Sequence, residues 1–417
     1  MGSGANAARY SPDLALSMSS AVAASTTAAS LRRLSGIALA VALILSAAPL
    51  ASLGAWAATP DWHVVKSPVV QLANGSSYAF LGGISCPTER FCVAVGVDDE
   101  ATATGGERPL LETYDGRHWA TLPSLSSGGG HRAASGSLSA VSCASALFCM
   151  AVGSGAGTKG SPLVYVYTAM RWSVVAPPAG NSYLAAVACP EVQHCVVTTS
   201  EGNPPGPVGY IYDHGRWRPA TAPTTLPGLD LLRSISCLDV RSCIAVGDES
   251  AGGPGMAPLA GRFDGTSWSA QKVDLSSDGY ESTVLAAVSC ASLDECLAVG
   301  YTLSGRPGRL PNGPVAELSR HGTWTSAIGA AGAQIRATAL NGVSCQGLEC
   351  LVIGTRGHAA FIDSYSANGW SSPMPGPFLR PGRNSPSGLW SVSCASPSFC
   401  VAVGSSGDQP TVVEGRA

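Results

Sequence analysis

Charge is scarce in this chain. Of its 417 residues only 12 % are Asp, Glu, Lys or Arg, the formal net charge is −3, and no long basic or acidic run occurs. That balance excludes the electrostatic footprint of a nucleic-acid or membrane-surface partner. The Lys and Glu that clothe helical bundles are also missing, and a hydrophobic content of 45 % excludes a disordered chain. The seven histidines fall at unrelated repeat positions, so the sequence offers no catalytic or metal-binding histidine set and implies no cofactor. What is abundant is glycine (50) and proline (29), the composition of short strands joined by turns.

The segment that does not fit such a fold lies near the N-terminus. Arg32 and Arg33 precede an apolar run from Gly36 through Leu45 to Leu53, and Ala55-Trp56-Ala57 supplies a small-x-small cleavage signal. Residues 1–57 are therefore read as a signal peptide with a long n-region, with translation starting at Met18 as a further expectation, and 58–417 as one mature domain. The alternative is an uncleaved anchor, because Leu34 to Ala58 is long enough to span a bilayer as a helix. The arginine pair fits both a general export signal and a twin-arginine one.

Fourteen cysteines in an exported chain read as a disulfide framework. They form seven close pairs: Cys86/Cys92, Cys143/Cys149, Cys189/Cys195, Cys237/Cys243, Cys290/Cys296, Cys345/Cys350 and Cys394/Cys400. Each first cysteine usually follows Ser or Ala, and each second one starts an apolar run usually ending in Gly. By subtraction of those positions, first cysteines recur every 57, 46, 48, 53, 55 and 49 residues. Periods of this size belong to propellers, solenoids or arrays.

Tryptophan keeps the same period. Trp119, Trp172, Trp217, Trp268, Trp324 and Trp370 lie 25 to 34 residues after the first cysteine of their repeat. Before two of them, Asp115-Gly116 and Asp264-Gly265 mark tight β-turns. One repeat thus contains four strands: A running into the first cysteine, B after the second, C into the turn, and D with the tryptophan. Four strands per unit make a propeller blade. The last repeat has no strand D after Arg416, but Asp61-Trp62-His63-Val64-Val65 near the other end matches Arg171-Trp172-Ser173-Val174-Val175. Pairing that segment with the last blade closes the ring and removes a free sheet edge. The expected fold is an all-β seven-bladed β-propeller, with four antiparallel strands per blade and the N-terminal strand completing the last.

The Tyr-Asp turn followed by Trp resembles the second half of a kelch blade, and its place between strands C and D resembles the Asp-box of sialidase-like propellers. Asp115 and Gly116 are adjacent where an Asp-box has one more residue between them, and single glycines such as Gly96 and Gly153 stand where kelch has two. The resemblance implies a kelch-like or Asp-box-like propeller, not membership of either family.

The cysteine pairs are read as structural staples fixing the A-B register, because pairs four or five residues apart on a hairpin come within disulfide reach. Zinc would need four converging ligands, whereas these pairs are spread around a ring. In an antiparallel blade the A-B and C-D links emerge on one face, the B-C and D-A links on the other. The latter vary widely in length, and variable loops on a regular scaffold are where binding resides. Candidate binding residues on that face are Arg132, Arg233, Arg336, Arg380 and Arg383, read as preceding strand A, with Tyr183 and Tyr280. Arginines near the axis suit a carboxylate or sulfate; solvated loop arginines are the alternative. Trp390, off the tryptophan period, is a stacking ring or a core residue. Asp98, Asp99 and Glu100 offer oxygen ligands for calcium or an exposed acidic turn.

These observations point to a secreted or cell-surface, monomeric, non-enzymatic propeller that binds a glycan or an extracellular protein through its variable face. The alternative is a sialidase-like or other glycoside hydrolase using acids such as Asp230, Asp274, Asp278 and Glu281. A purely structural role is a third reading.

Overall fold

The computed structural model describes residues 61–65, 67–68, 78–99, 107–122, 135–155, 161–179, 183–200, 208–221, 231–250, 255–273, 282–303, 313–328, 335, 337–357, 359–382 and 387–416. All lie in the compact unit Leu53–Ala417. The expected leader over 1–57 lies outside the described residues. No helix among the described residues is long and apolar enough to cross a membrane.

The first repeat shows the plan. Strands Tyr78–Thr88 (A), Phe91–Asp99 (B), Arg108–Tyr114 (C) and Trp119–Thr121 (D) pair antiparallel in chain order. Strand B is apolar from Phe91 to Val97 because it is covered on both faces there: Cys92, Val93, Ala94 and Val95 are all fully buried. Strand D, at the outer edge, buries Trp119 and exposes Ala120 and Thr121.

The same order recurs in every later repeat. The third and fourth blades share one sheet through the pair Ser200↔Leu231. In the sixth blade, two segments pair with strand C in place of a single strand D: Gly369–Trp370 and Met374–Phe378. The last sheet joins Gly388–Ser396, Phe399–Ser406 and Gln409–Arg416 to Asp61–Val65, with Trp62 opposite Gly415. The expected exchange of strand D between the chain ends is therefore observed.

The A strands form a ring. Tyr78–Thr88, Gly136–Ser145, Tyr183–Glu191, Leu231–Asp239, Ser282–Ser292, Ala339–Gln346 and Gly388–Ser396 touch in that order, and the last touches the first. The chain is an all-β propeller. Its core is divided among the blade junctions: Phe399, Val401 and Val412 of the last blade pack on Leu81, Ala94 and Tyr114 of the first, and an equivalent cluster fills each other junction. Periodic tryptophans bridge to the blade before: Trp119 Nε1 donates to Glu414 Oε1 at 3.2 Å, and Trp324 Nε1 to Gln271 Oε1 at 3.0 Å.

All seven expected cysteine pairs are bonded: Cys86 to Cys92, Cys143 to Cys149, Cys189 to Cys195, Cys237 to Cys243, Cys290 to Cys296, Cys345 to Cys350 and Cys394 to Cys400. Their Cα separations are 3.9 to 4.1 Å, and no cysteine is free. The bonds join strand A to strand B beside the short A-B links, as the spacing predicts, and the second cysteine of each pair is in addition buried. Cys92, Cys149, Cys243 and Cys400 are wholly buried, and Cys195 and Cys296 are 1 % exposed. The reason is that each belongs to strand B, which is covered on both faces, so its sulfur packs in a junction cluster: Cys195 with Val197 and Tyr212, Cys243 with Ala245 and Phe263, Cys400 with Ala402 and Val413. These cysteines are core residues.

The odd spacing of Cys345/Cys350 has a local cause. There the turn Gly347-Leu348 joins the strands without a register break, whereas the other six hairpins absorb one extra residue as an irregularity beside the disulfide.

Candidate functional site

Each A strand carries a β-bulge near its start, and the bulge decides what reaches the axis. The A-B register skips one residue after Leu81, Leu138, Leu184, Leu232, Leu285, Leu340 and Leu389. The skipped residues are Gly82, Ser139, Ala185, Arg233, Ala286, Asn341 and Trp390, and all seven line one axial cavity of about 210 Å³. A bulge re-aims a side chain that regular pairing would direct into a neighbouring layer. Strand A enters from the D-A links, so the cavity mouth lies on the variable-loop face.

The seven positions are not equivalent. Four carry almost no side chain, so the three large ones determine the chemistry of the mouth. Arg233 donates through Nε to Asp248 Oδ1 in a short contact and through Nη2 to Oδ2 at 3.4 Å. The Asp248 side chain is only 4 % exposed while that of Arg233 is 37 % exposed, so a buried carboxylate holds a half-exposed guanidinium. Asn341, on the sixth blade, donates through Nδ2 to the Leu389 carbonyl at 2.8 Å, bracing the bulge that carries Trp390. Its Oδ1 accepts no hydrogen bond among the described residues. Trp390 is half-buried and, unlike Trp119, Trp217, Trp324 and Trp370, donates its indole N–H to none of the described residues.

The strand glycine that ends the B run is part of this construction. A Cβ on Gly247, Gly300 or Gly404 would lie 1.8 to 1.9 Å from a backbone carbonyl of strand A. The bulge pushes that carbonyl against strand B, and only the missing side chain makes room. In the third blade Thr199 occupies the corresponding place, opposite Leu184.

No family model matches this sequence, and no curated protein matches it. Solved structures do. YCF48 from Cyanidioschyzon merolae superposes with a TM-score of 0.53 at 13 % identity, covering 86 % of this chain and 99 % of that one. A structure of YCF48 bound to D1 peptide superposes with a TM-score of 0.52 at 14 % identity, covering 88 % of this chain and 99 % of that one. The likeness is one of fold.

The residues expected from sequence separate in the structure. Arg233 lines the mouth, but it stands within strand A, not before it as expected. Tyr183 begins strand A of the third blade and is 38 % exposed, outside the cavity lining. Arg380 is exposed and tied by its backbone to the B-C turn of the last blade: its N–H donates to Ser406 Oγ at 2.7 Å and its carbonyl accepts from Gly407 N at 2.8 Å. Arg132, Arg336, Arg383 and Tyr280 lie outside the described residues, as do Asp230, Asp274, Asp278, Glu281 and Glu100. Asp98 sits opposite Arg108 in the ladder, and burial raises its carboxyl while the Arg108 charge works against that shift.

Sequence reasoning missed that Arg233, Asn341 and Trp390 occupy one repeat position. The signal was available, since each stands four residues before a first cysteine, in a column that otherwise reads Gly, Ser, Ala, Ala. The Asp-Gly turns also find an explanation. Asp115 Oδ1 accepts from the N–H groups of Arg117 and His118, both at 2.8 Å, and Asp264 Oδ1 does the same for Thr266 and Ser267. Those bonds hold the Asp264 carboxyl down at about 2 and make each aspartate a turn-former.

Proposed function

We propose that this chain is an exported, non-enzymatic propeller that binds a protein partner at the axial mouth of its variable-loop face. The observation that carries this reading is the asymmetry of the bulge column, in which Arg233, Asn341 and Trp390 face four residues with minimal side chains. A cavity of about 210 Å³ is below the usual range for a small-molecule pocket, about 300 to 1,000 Å³. It matches one inserted side chain of a larger partner. Tryptophan and arginine are the residue types that dominate binding hot spots, because each combines a broad apolar or planar surface with directed donors. A propeller of the same fold has been solved with a peptide bound. Seven disulfides suit an oxidising, extracellular compartment.

The test is a parallel screen of the purified chain against a peptide library and a glycan array, repeated with Trp390→Ala, Arg233→Ala and, as a control on the opposite face, Arg117→Ala. Peptide binding that weakens at least about 30-fold in Trp390→Ala, the size expected of a hot spot, and persists in Arg117→Ala supports the reading. Saturable binding to a sugar that depends on Trp390 would replace the protein partner by a glycan. Binding indifferent to both mouth variants would overturn the site.

A further inference from the structure

Three side chains with metal-ligating atoms converge on the third blade, at the disulfide-bearing end away from the axial mouth. His194 Nε2 lies 2.8 Å and His214 Nδ1 2.7 Å from the same oxygen, Asp213 Oδ1. The imidazoles meet edge to face with centroids 4.8 Å apart. One donor atom from each of the three residues lies within 4.8 Å of the other two.

The backbone sets this convergence. Asp213 ends strand C, Gly209–Asp213, and stands opposite His194, which begins strand B, His194–Ser200. His214 follows in the turn with a left-handed φ of 46°, and its N–H donates to the Gln193 carbonyl at 3.0 Å. The propeller itself does not require these residues. At the position of His194, the first, second and last repeats carry Phe91, Phe148 and Phe399. Phe91 packs on Tyr167 and Phe399 on Tyr114, each across a blade junction. In the third repeat that packing ring is replaced by an imidazole in contact with a carboxylate.

We propose that His194, Asp213 and His214 bind a divalent ion of the zinc class, a site independent of the axial mouth. Two imidazole nitrogens and a carboxylate oxygen are the donor set such ions prefer, at about 2.0 to 2.2 Å each. A tetrahedral ion at those distances needs donor atoms roughly 3.3 Å apart, wider than the two contacts to Asp213 and inside the 4.8 Å that spans all three donor atoms. The side chains of Asp213 and His214 are 47 % and 64 % exposed, so they adjust to that spacing without disturbing the core. Three protein donors leave a fourth position for water or an incoming ligand. His194 and Asp213 also line a groove of about 440 Å³ that reaches the fourth blade, and Arg218 of the third blade and Arg241 of the fourth, both on that groove, favour an anionic fourth ligand. Asp264 borders the same groove but is committed to its own turn, so it is not counted among the ligands.

The experiment uses the untagged full chain stripped with a chelator. Zinc is titrated calorimetrically and cobalt(II) spectroscopically, with wild type, His214→Ala, Asp213→Asn and the double variant His194→Ala/His214→Ala. The expected result is one ion per chain, a cobalt spectrum of tetrahedral intensity, and affinity at least about 10- to 100-fold lower in each variant. His214 lies in an exposed turn, so its replacement keeps the fold, checked by unchanged circular dichroism. Absence of saturable binding at one ion per chain, or wild-type affinity in the double variant, would overturn the proposal.

Discussion

The Ser393 hydroxyl accepts a hydrogen bond from the Cys86 backbone N–H at 2.9 Å, joining the last blade to the first across 307 residues of chain. The same clamp recurs at five other junctions: Ser85 to Cys143, Ser142 to Cys189, Ser236 to Cys290, Ser289 to Cys345 and Ser344 to Cys394, at 2.9 to 3.1 Å. The serine before each first cysteine thus accepts from the cysteine of the following repeat. At the remaining junction the residue is Ala188. There the third and fourth blades are held instead by the pair Ser200↔Leu231 and by Thr198 Oγ1 donating to the Leu232 carbonyl at 2.9 Å.

Replacing Ser393 by Ala strands the Cys86 N–H and is expected to cost about 1 to 3 kcal/mol in denaturant unfolding. The converse change, Ala188→Ser, supplies an acceptor for the Cys237 N–H and is expected to stabilise by about 0.5 to 1.5 kcal/mol. Equal effects of the two changes in the same direction would refute the clamp.

Glu317 makes stability depend on pH. It is fully buried on strand C of the fifth blade, neither carboxylate oxygen is hydrogen-bonded among the described residues, and burial pushes its carboxyl up to about 7. Between its ordinary value of 4.5 and about 7, the folded chain keeps a proton that the unfolded chain has released. Stability therefore falls as pH rises through that window and levels off above it. Glu317→Gln is expected to raise the melting temperature at pH 8, by a stabilisation on the order of 1 to 3 kcal/mol, and to leave it nearly unchanged at pH 4. Glu112, also held up at about 7 although Ser67 Oγ lies 2.9 and 3.0 Å from its oxygens, leaves part of the slope in the variant. A gain of the same size at both pH values would show that the charge is not the cause.

Gly300→Ala places a methyl group 1.9 Å from the Val284 carbonyl oxygen. Backbone on both sides must then shift, at an expected cost of about 1 to 3 kcal/mol. The presence of Thr199 at the matching place in the third blade shows that the shift is achievable, so a folded but less stable protein is the expected outcome in thermal unfolding.

Replacing both Cys86 and Cys92 by serine is expected to cost about 2 kcal/mol, since so short a loop constrains the unfolded chain only modestly. Alkylation of native protein should label no cysteine before reduction, and a mass increase without reductant would contradict the pairing.

Much of the fold was legible because it is written in local spacing. The pairing of Cys143 with Cys149 follows from their sequence separation of 6 on one hairpin, and the transfer of strand D to the last blade follows from the match of Asp61-Trp62 to Arg171-Trp172. Spacing did not show that Cys195, Cys243 and Cys400 sink into the blade junctions, because burial there depends on the neighbouring blade. The candidate site was less legible because reading arginines as loop residues separated Arg233 from Trp390. Their common offset of four residues from a cysteine carries structural meaning only once the bulge is known. His194 and His214 looked unrelated because their meeting depends on the cross-strand register of one blade.

What the sequence by itself determined is the repeat, its strand order, the disulfide partners and the closure of the ring, all of which depend on periodicity and short covalent distances. The tertiary structure decided which side chains share a space. Bulges in seven strands bring Arg233, Asn341 and Trp390 to one axis, and the register of a single hairpin sets His194 beside Asp213 and His214, because convergence depends on the path of the backbone in three dimensions rather than on spacing along the chain.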